Sequence, residues 1–378
     1  MREQVEIGRG RSAQRSYTFD DLDIVPSRRT RTSSAVSTAW QLDAYRFDLP
    51  LLTHPTDAVV SPATATRVGE LGGLGVLNAE GLWARHSDAE KALAEIAARA
   101  ADDPAGALVE LQRLHAAPVQ TDLLAEALRQ VTGVTLAARV SPQHARELTP
   151  TLLKAGVEVL VVQGTIISAE HVAGSADDDG GEAPLDLEDF IESLDIPVVA
   201  GGVGDYRTAM HLMRTGAAGV IVGYGQSVST STDAVLGIGV PMATALVDAA
   251  AARRDYLDET GGRYVHVIAD GGMTTSGDIA KAIACGADAV MLGEQLAAAD
   301  EAPGGGWYWT SAAAHPNLPR SGVVGVAQRG NDLAGVLRGP APQADGTVNL
   351  FGALRRAMAK TGYSDLKEFQ RVGLSVRR

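Results

Sequence analysis

The chain is short of cysteine, aromatic residues and positive charge, and each shortage removes a class of protein. Its single cysteine, Cys285, leaves no intrachain disulfide framework and no Cys-x-x-Cys metal site, so no metal centre is expected. Against 46 acidic residues stand only 33 lysines and arginines, a formal charge of −13, which opposes adsorption to nucleic acid or anionic lipid through a general basic field. No apolar run reaches the roughly 18 residues of a membrane span. The opening MREQVEIGRGRSAQRS carries charges in place of the apolar h-region of a secretory leader. A cytoplasmic protein with no nucleic-acid or membrane partner is expected. Aromatic residues make up 4% of the chain, but 45% of it is hydrophobic and 42 of its 378 residues are glycine. That suits a sizeable core with tight strand-to-helix turns and small residues at packed contacts.

Short apolar runs recur, each closed by small or polar residues and followed by a helix-like stretch. There are eight: LPLLTHP (Leu49–Pro55), LGVLNA (Leu74–Ala79), TLAARV (Thr135–Val140), VEVLVVQG (Val157–Gly164), PVVAGG (Pro197–Gly202), GVIVGYG (Gly219–Gly225), YVHVIADGG (Tyr264–Gly272) and AVMLGEQ (Ala289–Gln295). Without clean alternation they suit strands buried on both faces, and segments such as DYRTAMHLMRTGA and SGDIAKAIACGA have helical periodicity. The pattern predicts an α/β fold, a (β/α)8 TIM barrel in one domain, with an open doubly wound sheet as the alternative. Residues 1–48 are read as an N-terminal extension whose SYTFDDLDIVPS (Ser16–Ser27) caps the barrel bottom. Residues 49–306 are read as the barrel core, and 307–378 as a flap remnant with a helical tail completing the barrel. The acidic GSADDDGGEAP (Gly174–Pro184) reads as a solvated loop or a mobile lid.

In such barrels ligands meet the C-terminal ends of the strands. Asp270, Gly271 and Gly272 follow the seventh run and Gly293 follows the eighth. Glycines let main-chain N–H groups approach a phosphate, and the following helix N-terminus adds partial positive charge, which reconciles an acidic chain with an anionic ligand. Asp270 suits a ribose diol, or equally the cap of the next helix. Flavin and nucleoside monophosphates both fit such a corner.

Taken together, YTFDDLDIVPS, PLLTHPTDAVV, LGGLGVLN, VGYGQSVSTSTDAVLGIGVP, VIADGGMTTSGDIAKAIACGADAVMLG and AAADEAPGG follow the order of the IMP dehydrogenase and GMP reductase family, from Ser16 to about Gly306. The chain most resembles the shorter actinobacterial branch without CBS domains, for which 81–133 leaves no room. The resemblance implies a homotetrameric barrel that binds a purine nucleoside monophosphate and NAD. It attacks the purine with a cysteine thiolate, passes hydride to nicotinamide and hydrolyses the covalent intermediate. It also implies potassium held by main-chain carbonyls of the catalytic loop. Carried onto this chain, Asp270 holds ribose, Gly271, Gly272 and Gly293 hold phosphate, Asp57 is the aspartate of the barrel mouth, and Gly223 and Gly225 open the nucleophile loop. Gln163, Gly201 and Gly202 fall at cofactor positions.

The chain departs from that pattern where the chemistry is done. Thr230 stands where the family has its cysteine, Val228 at a phosphate-contacting serine and Ser227 at a loop glycine. A thiol ionises near pKa 8.5, whereas an aliphatic alcohol needs a dedicated base, for which His54 is the available histidine. Gln163 replaces an aspartate of the nicotinamide ribose, Ile221 a basic residue, and Glu294 the phosphate-binding serine after Gly293. The mobile flap is reduced to LPRSGVV. Cys285, at a helix end, reads as a packed small residue, Ser227–Thr232 as a polar loop, and Trp307 and Trp309 as packing for the tail. The expected function is recognition of an IMP, XMP or GMP-type nucleotide with NAD-dependent oxidation weak or lost, including co-assembly with an active IMP dehydrogenase. An active IMP dehydrogenase and an FMN-dependent barrel oxidoreductase are the alternatives, so enzyme status stays open.

Overall fold

The structure, a computed structural model, describes residues 3–169, 185–328 and 330–377. The acidic loop Gly174–Pro184 lies outside them. All eight apolar runs form parallel strands of one barrel: β1 (Leu51–Thr53), β2 (Val76–Asn78), β3 (Ala137–Val140), β4 (Val159–Gln163), β5 (Val198–Val203), β6 (Gly219–Gln226), β7 (His266–Gly271) and β8 (Ala289–Leu292). Neighbours in sequence are neighbours in space from β2 to β8, and β8 pairs with β1. The ring closes where Leu52 bridges Leu74, with Thr53 N donating to Leu74 O at 3.0 Å. Closure removes the alternative of an open sheet.

The strands lack polar alternation because both faces are buried: every residue of β4, VLVVQ, is buried between the barrel interior and the surrounding helices. Those helices are α1 (Pro62–Glu70), α2 (Thr121–Arg129), α3 (Ala145–Lys154), α4 (Leu187–Glu192), α5 (Tyr206–Arg214), α6 (Met242–Glu259), α7 (Ser276–Ala284) and, from the tail, α8 (Leu350–Thr361). Their starts are written locally. Ser61 caps α1 ahead of Pro62, and Asp205 and Thr275 cap α5 and α7 with reciprocal side-chain bonds at the third helical residue. Gly286, at φ +113°, turns the chain from α7 into β8, where a Cβ would press on Ala250. Cys285 beside it is buried, and burial pushes its thiol up to about 12, an inert packed residue.

The bottom is covered from within residues 1–48, but not by Ser16–Ser27. Tyr17–Phe19 runs against the barrel's outer wall: Tyr17 N donates to Thr244 Oγ1 at 2.7 Å and Lys281 Nζ to the Phe19 carbonyl at 2.9 Å. The cap is instead the hairpin Trp40–Leu42 and Tyr45–Phe47, whose Trp40 ring packs on Phe47 and on His266 at the start of β7. Distant aromatic contacts decide this placement. Also at the bottom, buried Asp288 accepts from Arg253 at 2.7 Å, Lys367 at 2.6 Å and Tyr264 at 2.9 Å, tying the tail to the barrel. Two further helices, Ala89–Asp102 and Pro104–His115, fill the stretch between β2 and α2. No helix among the described residues is long and apolar enough to cross a membrane.

Candidate functional site

The C-terminal strand ends bring Gly225, Asp270, Gly271, Gly293 and Glu294 around one small cavity of about 20 Å³, which Gly272 does not line. The surrounding chain fills that corner. Asp270 is 1% exposed and both its oxygens are engaged: His54 Nδ1 lies 3.1 Å from Oδ1, and Gln163 Nε2 donates to Oδ2 at 2.7 Å. Gly272 N donates to the Gln226 carbonyl at 2.8 Å. The phenol of Tyr308, wholly buried and held protonated by burial, lies directly on Gly293, where a Cβ would overlap its hydroxyl. Glu294 Oε2 accepts the Val228 N–H at 3.1 Å, so a carboxylate of the chain lies against the loop position where the family has its phosphate-contacting serine. Burial raises the Glu294 pKa, and the Val228 bond works against that rise.

Thr230 sits in a hydroxyl cluster. Its Oγ1 donates to the Gly225 carbonyl at 2.7 Å and lies 3.1 Å from Ser227 Oγ, while His54 meets Asp270 through Nδ1. The flap remnant is strapped to this loop. Thr230 and Ser321 form an antiparallel bridge, Ser231 N donates to Arg320 O at 3.0 Å, Gly322 N to Ser229 O at 2.8 Å, and Ser321 Oγ to Ser229 Oγ at 3.1 Å. LPRSGVV therefore acts as a fixed clamp on the loop.

Several residues assigned from the resemblance make packing contacts within the chain. Asp57 turns away from the corner: its Oδ2 accepts from Leu82 N at 3.1 Å and lies 3.3 Å from His115 Nε2, anchoring the inserted helices. Gly201 and Gly202 are buried in β5, facing Ile221 and the Gly223 carbonyl, where they let neighbouring strands approach. Gly223, at φ +110°, does the same against the Asp270 carbonyl. Trp309 is buried, with its carbonyl accepting from Thr56 Oγ1 at 2.6 Å.

The sequence reading missed a second polar group across the mouth. Arg139, on β3, donates to Glu80 Oε2 at 2.9 Å and to the Gln163 carbonyl at 2.5 Å; Glu80 also meets His144 Nδ1 at 2.5 Å and Ser141 Oγ at 2.8 Å. Burial alone would raise the Glu80 carboxyl, but His144, Arg139 and Ser141 together hold it at about 2. Its one sequence signal was an arginine inside an otherwise apolar strand, AARV. Through Gln163 this group continues to Asp270 and His54, so the ends of β1, β3, β4 and β7 are cross-linked by side chains whose hydrogen-bonding capacity is largely met within the chain.

The fold and rim define a (β/α)8 barrel with a glycine-lined corner at the ends of β7 and β8. Residues 16–315 match the model of the IMP dehydrogenase / GMP reductase domain, and the chain belongs to that family. It is 61% identical over 378 residues to a protein of Mycolicibacterium smegmatis named an uncharacterized oxidoreductase, covering 98% of this chain and 99% of that one. An inosine-5'-monophosphate dehydrogenase of Haemophilus influenzae is 40% identical over 158 residues, 42% of this chain and 29% of its own length. A crystal structure of an IMP dehydrogenase/GMP reductase-like protein from Corynebacterium glutamicum superposes with a TM-score of 0.93 at 53% identity, covering 99% of this chain and 98% of that one.

The residues carried over for NAD and potassium make contacts within the chain. Gln163 spends its amide on Asp270, and Gly201 and Gly202 are packed inside the sheet. The loop carbonyls of Gly225, Gln226 and Ser227 already accept from Thr230 Oγ1, Gly272 N and Thr230 N. The Tyr308 contact makes its own prediction. Gly293→Ala is expected to destabilise the chain by about 1–3 kcal/mol through overpacking. In a Tyr308→Ala background most of that added cost should vanish, a coupling that urea unfolding of the four proteins in the cycle measures. Additive effects would contradict the contact.

Proposed function

We propose that this chain does not carry out NAD-dependent oxidation of IMP to XMP, and that its own side chains hold the family's nucleotide corner shut. One observation carries the reading: Tyr308 lies on Gly293, and the Glu294 carboxylate is held by the Val228 N–H beside it, where it would repel a phosphate. A purine monophosphate requires a pocket of several hundred cubic ångströms, against about 20 Å³ at Gly293 and Asp270; the roomier cavity of about 270 Å³ on the far side of Glu294, lined by Val228, Thr274 and Val324, lies outside the glycine corner. A barrel that does no chemistry acts through what it contacts, so the homotetramer, assembly with an active IMP dehydrogenase and a cytoplasmic location belong to the same proposal.

A second reading, a purine-monophosphate site that opens when Tyr308 and Glu294 swing aside, is favoured by the convergence of Gly225, Asp270, Gly271 and Gly293 on one cavity. Calorimetric titration with IMP, GMP, XMP and NAD separates the two. The closed reading expects no heat from NAD and purine dissociation constants weaker than about 1 mM, about −4 kcal/mol. Micromolar binding of one purine monophosphate would establish the second reading in its place. Protein that purifies yellow would indicate a flavin-dependent barrel.

A further inference from the structure

The cavity of about 270 Å³ beyond Glu294 has apolar walls formed by Ala298, Val324, Val326, Val336 and Val348. Val336 and Val348 are buried members of the hydrophobic core, so this wall is part of the packed protein. Its size suits a small molecule, since pockets for larger ligands begin at about 300 Å³.

Two of the polar side chains lining the cavity have spent a donor inside the chain. Thr274 Oγ1 donates to Asp278 Oδ2 at 3.1 Å, and Gln295 Nε2 donates to the Met273 carbonyl. What they keep is acceptor capacity, on a hydroxyl oxygen and an amide oxygen. Asn331 adds a second amide to the lining. The one charged group there is Glu294, whose Oε2 accepts from Val228 N at 3.1 Å. Among the described residues its Oε1 has no hydrogen-bond partner, and no lysine or arginine lines the cavity.

A half-buried carboxylate without a counter-charge is unfavourable, and burial accordingly raises the Glu294 pKa. Such a lining offers acceptors and negative charge to whatever enters. It repels phosphates and carboxylates and matches a hydrogen-bond donor that carries positive charge on a hydrocarbon body.

We propose that this cavity binds a small organic amine, its ammonium paired with Glu294 and its hydrocarbon part lying against Val324, Val326 and Val348. The preferred charge is opposite to that of a nucleotide.

The test uses the full chain and three probes of one shape: cyclohexylmethylamine, cyclohexylmethanol and cyclohexanecarboxylate, titrated at neutral pH and followed by calorimetry. The amine is expected to bind at least about tenfold more tightly than the alcohol, the worth of a charge-assisted hydrogen bond, and the carboxylate not to bind. Glu294→Gln keeps the shape of the side chain and should remove the preference for the amine. Ala298→Leu, which fills the cavity and leaves the carboxylate in place, should weaken amine and alcohol alike. The comparison of probes on the wild-type chain needs no variant, so it decides the matter even where a substitution disturbs folding. An amine that binds no better than the alcohol, or that keeps its full affinity in Glu294→Gln, overturns the proposal. Displacement of the bound amine by IMP also overturns it, by assigning the cavity to a nucleotide. IMP that binds without displacing the amine defeats only the closed-corner reading and upholds this one.

Discussion

Incubated with IMP and NAD, the purified chain is expected to form no NADH above background, and Thr230→Cys alone is expected not to restore turnover. Losing the nucleophile of a covalent mechanism costs on the order of 10⁶ in kcat. Thr230 offers no ready substitute, because its hydroxyl donates to the Gly225 carbonyl and no hydrogen bond among the described residues joins it to His54, whose Nδ1 meets Asp270. Restoring sulfur would still leave Tyr308 on Gly293, Glu294 on the Val228 N–H and Gln163 on Asp270, so substrate would not reach it. Two results are informative in opposite ways. Steady NADH formation by the wild-type chain would defeat the proposal of lost oxidation, whereas turnover only in Thr230→Cys would show that the corner opens and that sulfur alone was missing.

The second large effect concerns stability. Glu80→Gln is expected to destabilise the chain by about 3–5 kcal/mol, since it leaves the buried Arg139 guanidinium without its counter-charge. Chemical denaturation measures this directly. A loss under about 1 kcal/mol would mean that water reaches Arg139 and that the mouth is open. The pH dependence has a defined sign. The Glu80 carboxyl is held at about 2 in the fold against 4.5 for the free group, so its contribution is complete above about pH 4.5 and is lost as pH falls through 2. His144 behaves in the opposite sense. Its hydrogen bond to Glu80 raises its pKa, so its contribution is complete below about 6.5 and is lost as pH rises through the folded value. Glu80→Gln should flatten both limbs in a stability-against-pH profile.

How far the sequence could be read depended on the range of the interactions concerned. Strand positions, helix caps such as Ser61 and Thr275, and turn glycines such as Gly286 follow from period, capping chemistry and backbone sterics, all of which act within a few residues. The loop substitutions Thr230 and Glu294 were legible too, because a shared spacing locates them. Orientation was not legible. Nothing local distinguishes an Asp57 that faces ligand from one that bonds Leu82 N beside His115, or a Tyr308 that packs the tail from one that lies on Gly293, 15 residues away.

The sequence by itself determined eight strands alternating with helices in an α/β fold, its family and a threonine at position 230, because periodicity and residue identity are properties of the chain alone; closure of the sheet was decided by the Leu52–Leu74 bridge. Tertiary structure decided whether the glycine corner stands open. The groups that fill it, His54, Gln163, Glu294 and Tyr308, come from the ends of β1 and β4, from just after β8 and from the tail, and only closure of the barrel brings them within hydrogen-bonding or contact distance of Asp270, Val228 and Gly293.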